Sequence, residues 1–159
     1  MQQIQKSLYD AIIVGGSYAG LSAAMGLGRS LFKVLIIDAD ERCNKNVAHS
    51  HNLIAHDGSA PGEVAAKAKE QVLKYKTVEF LNGRVVSAIK KDNVFEVETE
   101  NQEKFSGRKL LFSTGLKDKM LPIPGYAECW GKSVIHCPFC HGYEVNGQAL
   151  GVMLTNGKE

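Results

Sequence analysis

The sequence carries almost no excess of charge: 19 lysines and arginines against 17 aspartates and glutamates leave a net +2. The two signs are interspersed without a basic stripe, so neither nucleic acid nor an anionic membrane is an expected partner. Long apolar runs are missing, and none approaches the length that spans a bilayer. The stretch from Met1 to Tyr9 is polar with a single lysine, Lys6, and does not read as a signal peptide. Cysteine is scarce, and four in 159 residues do not make a disulfide scaffold. A cytoplasmic location is therefore expected, where a close cysteine pair is more often redox or metal-binding than structural. Repeats and low-complexity segments are absent as well. What is present, 44% apolar and 23% charged residues, suffices for one sizeable core, or one core and the start of another.

The most informative stretch lies near the N-terminus. The apolar run Asp10-Ala11-Ile12-Ile13-Val14 stops abruptly in Gly15-Gly16-Ser17-Tyr18-Ala19-Gly20. Small and apolar helix formers follow over 21–30, then a second apolar run, 33–37, ends in Asp38. Strand, glycine turn, helix, strand and acid make one βαβ unit of dinucleotide-binding type. Continuous rather than alternating apolar strands suit a parallel sheet covered on both faces. Gly15 permits the tight turn and Gly20 lets the helix pack closely, while the helix N-terminus offers N–H groups to a pyrophosphate. Asp38 lies where an acid accepts hydrogen bonds from ribose hydroxyls. Ser17 replaces the middle glycine, and its small side chain can still admit phosphate or donate its hydroxyl.

Residues 40–59 lack periodicity and read as a long functional loop with His49, His51 and His56. No acid or cysteine completes a metal-ligand spacing there, so a polar loop lining a bound cofactor is expected. Pro61 opens a helix through about Lys76, with Val64, Ala65, Ala68, Val72 and Tyr75 on one face. Three short strands, 78–81, 84–90 and 94–99, read as a β-meander, with turns at Asn82-Gly83 and Asp92-Asn93. A buried strand over 109–115 should return beside the first. Pro122-Ile123-Pro124-Gly125 is the strongest linker signal, and 148–155 reads as the first strand of another domain.

Between linker and last strand lies His136-Cys137-Pro138-Phe139-Cys140-His141-Gly142. Alone, a CxxC suits a redox disulfide and half a zinc site equally. A thiolate is the reactive form, and the flanking histidines can lower a cysteine pKa or move a proton near neutrality. A helix starting near Cys140 would stabilise a thiolate further.

The glycine turn with Asp38, the 111–115 strand with its Pro-Ile-Pro-Gly linker, and Cys-Pro-Phe-Cys-His-Gly occur in characteristic order. Together they resemble the N-terminal half of the thioredoxin-reductase-like flavoproteins, from about Tyr9 to Glu159. The resemblance implies an α/β, Rossmann-like FAD-binding domain of parallel sheet plus β-meander, incomplete, over 1–122. Residues 123–159 would carry the linker, the CxxC motif and the start of an NAD(P)H-binding-like domain. It implies FAD held by Gly15, Ser17, Ala19, Gly20, Asp38, Asn44, Val85, Thr114 and Gly115. Electrons would pass between flavin and a small disulfide or dithiol, or a thioredoxin-like protein, through Cys137 and Cys140. Cys140 is expected nearer the flavin and Cys137 nearer the substrate. A full-length member is expected to be a homodimer.

Two features depart from the common pattern. His141 stands where thioredoxin reductases carry an acid, which is closer to a branch that includes FAD-dependent dithiol oxidases and casts His141 as the acid/base. After 149–153, Leu154-Thr155-Asn156-Gly157-Lys158 lacks the expected glycine triplet, so the resemblance supports FAD well and NADPH poorly. The competing readings are a zinc-stabilised binding domain, using Cys129, Cys137, Cys140 and His136 or His141, and a catalytically silent fragment. No metal site is expected on the leading reading.

Overall fold

A computed structural model describes residues 8–154. Its centre is a single six-stranded sheet. Strand β1 (Leu8–Val14) and strand β2 (Val34–Asp38) run parallel, Ala11 opposite Val34 and Val14 opposite Ile37. Helix α1 (Tyr18–Arg29) joins them. Both strands are apolar at successive positions because each sheet face has its own core. Ile13, Val34 and Ile36 meet Leu21 and Ala24 of α1 and Val72 of helix α2 (Pro61–Val72). Ile12, Leu35 and Ile37 point the other way, onto Tyr9 and Val97. Each fully buried isoleucine or valine contributes about 1.5–3 kcal/mol.

The turn into α1 depends on two glycines. Gly15 has φ +104°, a left-handed conformation that side chains disfavour. Gly20 is buried against the Gly15 carbonyl, and a Cβ there would overlap it. Helix α2 begins with Pro61 in its first turn, as its fixed φ favours. It ends at Val72 rather than Lys76, and Tyr75 packs on the core from the following turn, its N–H bonded to the Val72 carbonyl at 3.1 Å.

The expected meander is shifted by one strand. Strand β3 (Val78–Asn82) lies parallel to β2 at the sheet edge, Val34 opposite Val78, so it completes the parallel half. The antiparallel meander is β4 (Val85–Lys91), β5 (Val94–Thr99) and β6 (Lys104–Phe112). Helix α2 supplies the crossover that a parallel β2–β3 connection requires. Strand β6 is longer than its apolar run: Lys104 to Gly107 pair with β5, while Ser106 to Phe112 pair with β1. It ends at Phe112, and Ser113, Thr114 and Gly115 form the turn beyond. On β5, Val97 and Thr99 are buried while Glu96 and Glu98 keep partial exposure, the alternation of a half-covered strand.

Past the linker, two four-residue helices follow, α3 (Tyr126–Cys129) and α4 (Pro138–His141). The strand expected over 148–155 does not form through Leu154, and Thr155 lies outside the described residues. A strand needs a hydrogen-bonding neighbour, and none among the described residues pairs there, so Leu150, Val152 and Leu154 stay exposed.

Two substitutions in α1 should act in opposite directions. Gly20→Ala forces the helix from the turn and should cost about 1–3 kcal/mol by overpacking. At Gly26 a Cβ meets nothing within 4 Å, so Gly26→Ala should stabilise by about 0.4–1 kcal/mol. Urea denaturation midpoints of the two variants check both signs.

Candidate functional site

The C-terminal ends of β1, β2 and β6 converge on the glycine turn. The Gly15 N–H donates to the Ile37 carbonyl at 2.8 Å, and the Gly16 N–H to Asp38 Oδ1 at 2.9 Å. From the end of β6, the Ser113 hydroxyl donates to the Val14 and Gly15 carbonyls at 3.1 and 2.8 Å. This crossing opens a cleft of about 640 Å3. Gly15, Asp38, Val85, Thr114 and Gly115 all line it, bringing five of the sequence-predicted cofactor residues together.

The other four lie elsewhere. Ser17, Ala19 and Gly20 stand at the head of α1, outside the cleft lining, with Gly20 buried as a packing residue. Ser17 is the N-cap, yet its hydroxyl makes no capping bond and no acid sits in the first turn. The leading N–H groups of α1 therefore lack a side-chain cap, an arrangement suited to an anionic diphosphate. Asn44 lines a neighbouring cleft.

Charged residues that sequence reasoning did not single out crowd the rim: Glu41, Arg42, Lys45, Arg84 and Lys117. Arg84 and Glu41 form an ion pair at 2.5 Å, linking the loop after β2 to the turn before β4. A hydrogen bond and charge attraction from Arg84 hold the Glu41 carboxyl below its usual range, and Glu41 raises Arg84 in the same way. The only sequence signal was that Arg84 directly precedes Val85.

The second cleft, about 280 Å3, contains Cys140 and His141. Its walls also include Asn44, His49, His51 and His136, and it shares Cys43, Asn46, Leu116, Asp118 and Trp130 with the first. The two clefts are thus adjoining rooms with a common wall. Cys137 and Cys140 are joined in a disulfide, Cα atoms 5.3 Å apart. Cys137 is the N-cap of α4, its carbonyl accepting the Cys140 and His141 N–H groups at 3.2 Å each. Cys140 faces the shared cleft and Cys137 lies outside its lining. The helix starts at Pro138, two residues before Cys140.

Trp130, which sequence reasoning passed over, anchors this segment. Its indole donates to Asp118 at 3.2 Å, and its ring stacks on His136 with centroids 5.0 Å apart. Among the described residues no group of three His, Cys, Asp or Glu side chains could hold a metal ion. In the disulfide form neither Cys137 nor Cys140 is a thiolate, and Cys129 stands as a free thiol. No helix among the described residues is long and apolar enough to cross a membrane.

An α/β sheet with a core on each face, a glycine-lined cleft at its strand ends and a disulfide in the adjoining cleft make a Rossmann-like domain that carries a cysteine pair. The family model described as pyridine nucleotide-disulphide oxidoreductase matches residues 9–149, and the chain belongs to this family. The family is one of FAD-binding oxidoreductases that typically use NAD(P)H. The chain is 39% identical to thioredoxin reductase tcpT of Claviceps purpurea (strain 20.1), covering 92% of this chain and 47% of that protein. Thioredoxin reductase aclD of Aspergillus oryzae is 37% identical, over 92% of this chain and 48% of its own length. Among solved structures, an oxidoreductase from Agrobacterium tumefaciens superposes with TM-score 0.85 at 43% identity, covering 88% of this chain and 48% of that one. The structure of HlmI gives 0.81 at 34% identity, over 86% and 44% of the two chains. The chain spans about half the length of the relatives it matches.

The Glu41–Arg84 pair gives a titration test. Glu41 is depressed in the folded state, so its stabilising contribution is present above the ordinary carboxylate range and is lost as pH falls through the depressed value. Arg84→Gln should move the Glu41 titration up to the ordinary glutamate range, followed by NMR of the side-chain carboxyl, and should remove that contribution.

Proposed function

We propose that this chain is the FAD-side half of a thiol–disulfide oxidoreductase, with Cys137 and Cys140 as its redox pair. The observation that carries this reading is the shared wall between the glycine-lined cleft and the Cys140 cleft. In the first cleft, Gly15, Thr114, Gly115 and Val85 present backbone and small side chains to a dinucleotide. Asp38 has one oxygen engaged by Gly16 and the other available for a ribose hydroxyl. The uncapped head of α1, with Ser17 and Ala19, suits the diphosphate. Asn44 lines the second cleft, which supports a contact from its loop to the cofactor. Bound there, FAD would supply the two-electron acceptor or donor for the cysteine pair.

The protein's own part is disulfide exchange. A substrate thiolate attacks the Cys137 sulfur, forming a mixed disulfide and releasing Cys140 as a thiolate. The second substrate thiol, its proton passed to solvent, then attacks as a thiolate the substrate sulfur of that mixed disulfide. Substrate leaves as a disulfide, and Cys137 leaves as the second thiolate. Two electrons have moved from substrate to protein, and the reverse sequence reduces a disulfide. His141, in the Cys140 cleft, takes the proton of an incoming thiol and returns it in the reverse direction. The substrates that fit this chemistry are a small dithiol or disulfide, or a thioredoxin-like protein. Relatives named as thioredoxin reductases support the class. We place the protein in the cytoplasm, and the complete enzyme as a homodimer.

Asp38→Ala should weaken flavin retention, read as flavin absorbance of the purified protein. Occupancy equal to wild type overturns the cofactor assignment. His141→Ala should keep its flavin content but slow flavin reduction by a dithiol by about 10²–10⁴-fold, as loss of a general acid/base does. It should also lose the pH dependence near neutrality that an imidazole confers. An unchanged rate and pH profile in rapid mixing would remove His141 from the mechanism.

A further inference from the structure

The loop between β2 and α2 touches the disulfide segment through one histidine. His51 presents both ring nitrogens to carboxylates: Nδ1 lies 3.7 Å from Asp57 Oδ1, and Nε2 lies 3.4 Å from Glu144 Oε1. Asp57 belongs to the same loop, whereas Glu144 stands three residues after α4, which carries Cys140. The loop is braced independently of this bridge. The Ser50 N–H donates to the Ser59 carbonyl at 2.8 Å, the Gly58 N–H donates to the Ser50 carbonyl at 2.7 Å, and the His49 ring bonds the Gly58 carbonyl at 3.0 Å. Asp57 Oδ1 also accepts the Asn52 N–H at 2.8 Å, fixing the carboxylate beside His51. His51 lines the same cleft as Cys140 and His141.

We infer that His51 is a positioning residue: protonated, it clamps the disulfide segment to the cofactor-side loop through Glu144, and deprotonated, it releases it. An imidazolium has two N–H donors and can serve both carboxylates. Neutral imidazole has one N–H and no charge, so in either tautomer the charge attraction to Glu144 is gone and the tie is weakened. The groups that face His51 are Asp57 and Glu144, with the His49 ring 6.4 Å away and His136 and His141 in the same cleft. The clamp needs the imidazolium, so it is engaged at lower pH and lost at higher pH. Its consequence for turnover rests on the redox reading above. With the clamp engaged, Cys140 is held in the lining of the second cleft; without it, the segment that carries the cysteine pair is held there less firmly.

The test uses this chain alone, without flavin or substrate, so its outcome is independent of the redox assignment. Amide deuterium exchange over residues 137–147 is compared at about pH 6 and about pH 8, corrected for intrinsic rates, to bracket imidazole titration. Wild type should exchange about two- to fivefold faster at the higher pH, the range of an exposed ion pair. Glu144→Gln and His51→Asn should each exchange fast at both pH values. The double variant should match the singles, because the clamp is one interaction. Amides of β1 and β2 serve as the folding control. Variants that keep the wild-type pH difference, or a wild type without one, overturn the clamp. Loss of dithiol activity with the clamp intact would instead overturn the redox reading.

Discussion

The architecture depends on how closely α1 approaches the turn after β1. Gly20 rests on the Gly15 carbonyl with no room for a methyl group, and Gly15 holds a left-handed backbone. That contact would be fragile alone. It is secured from two neighbouring strand ends, by Asp38 of β2 gripping the Gly16 N–H and by Ser113 beyond β6 gripping the carbonyls of Val14 and Gly15. Three strands that are far apart in sequence therefore share one polar knot. The buried isoleucines and valines on both faces of β1 and β2 supply the bulk of the stabilisation. The knot decides where the cleft opens.

The second constraint is the placement of the disulfide segment. The chain leaves β6, passes the Pro-Ile-Pro-Gly linker, where Gly125 has φ +82°, and turns back over the cleft. Trp130 then serves two neighbours at once, bonding Asp118 on the approach and stacking on His136 beside Cys137. Because Trp130 and Asp118 are also part of the common wall, the same contacts that seat the CxxC segment bound the glycine-lined cleft. The glycine-lined cleft and the cysteine pair are thereby mechanically linked through a few side chains. His51 Nε2, 3.4 Å from Glu144, adds a contact between the loop after β2 and the disulfide segment.

The sequence by itself determined the first βαβ unit, the glycine turn, the acid that closes it and the CxxC motif. These are local features: strand and helix periodicity, the steric demands of φ near +104° at Gly15, and cysteine spacing all act within a few residues. Tertiary structure alone decided the rest. Whether residues 78–82 joined a meander or the parallel sheet depended on which edge of β2 was free, and no local pattern records that. The same holds for β6, whose first residues serve β5 and whose last serve β1. Asn44 belongs to the disulfide cleft because of where a loop without periodicity folds. Arg84 with Glu41, Trp130 with Asp118, and His51 with Glu144 are polar side-chain pairs made by chain folding, so only the packed molecule could reveal them.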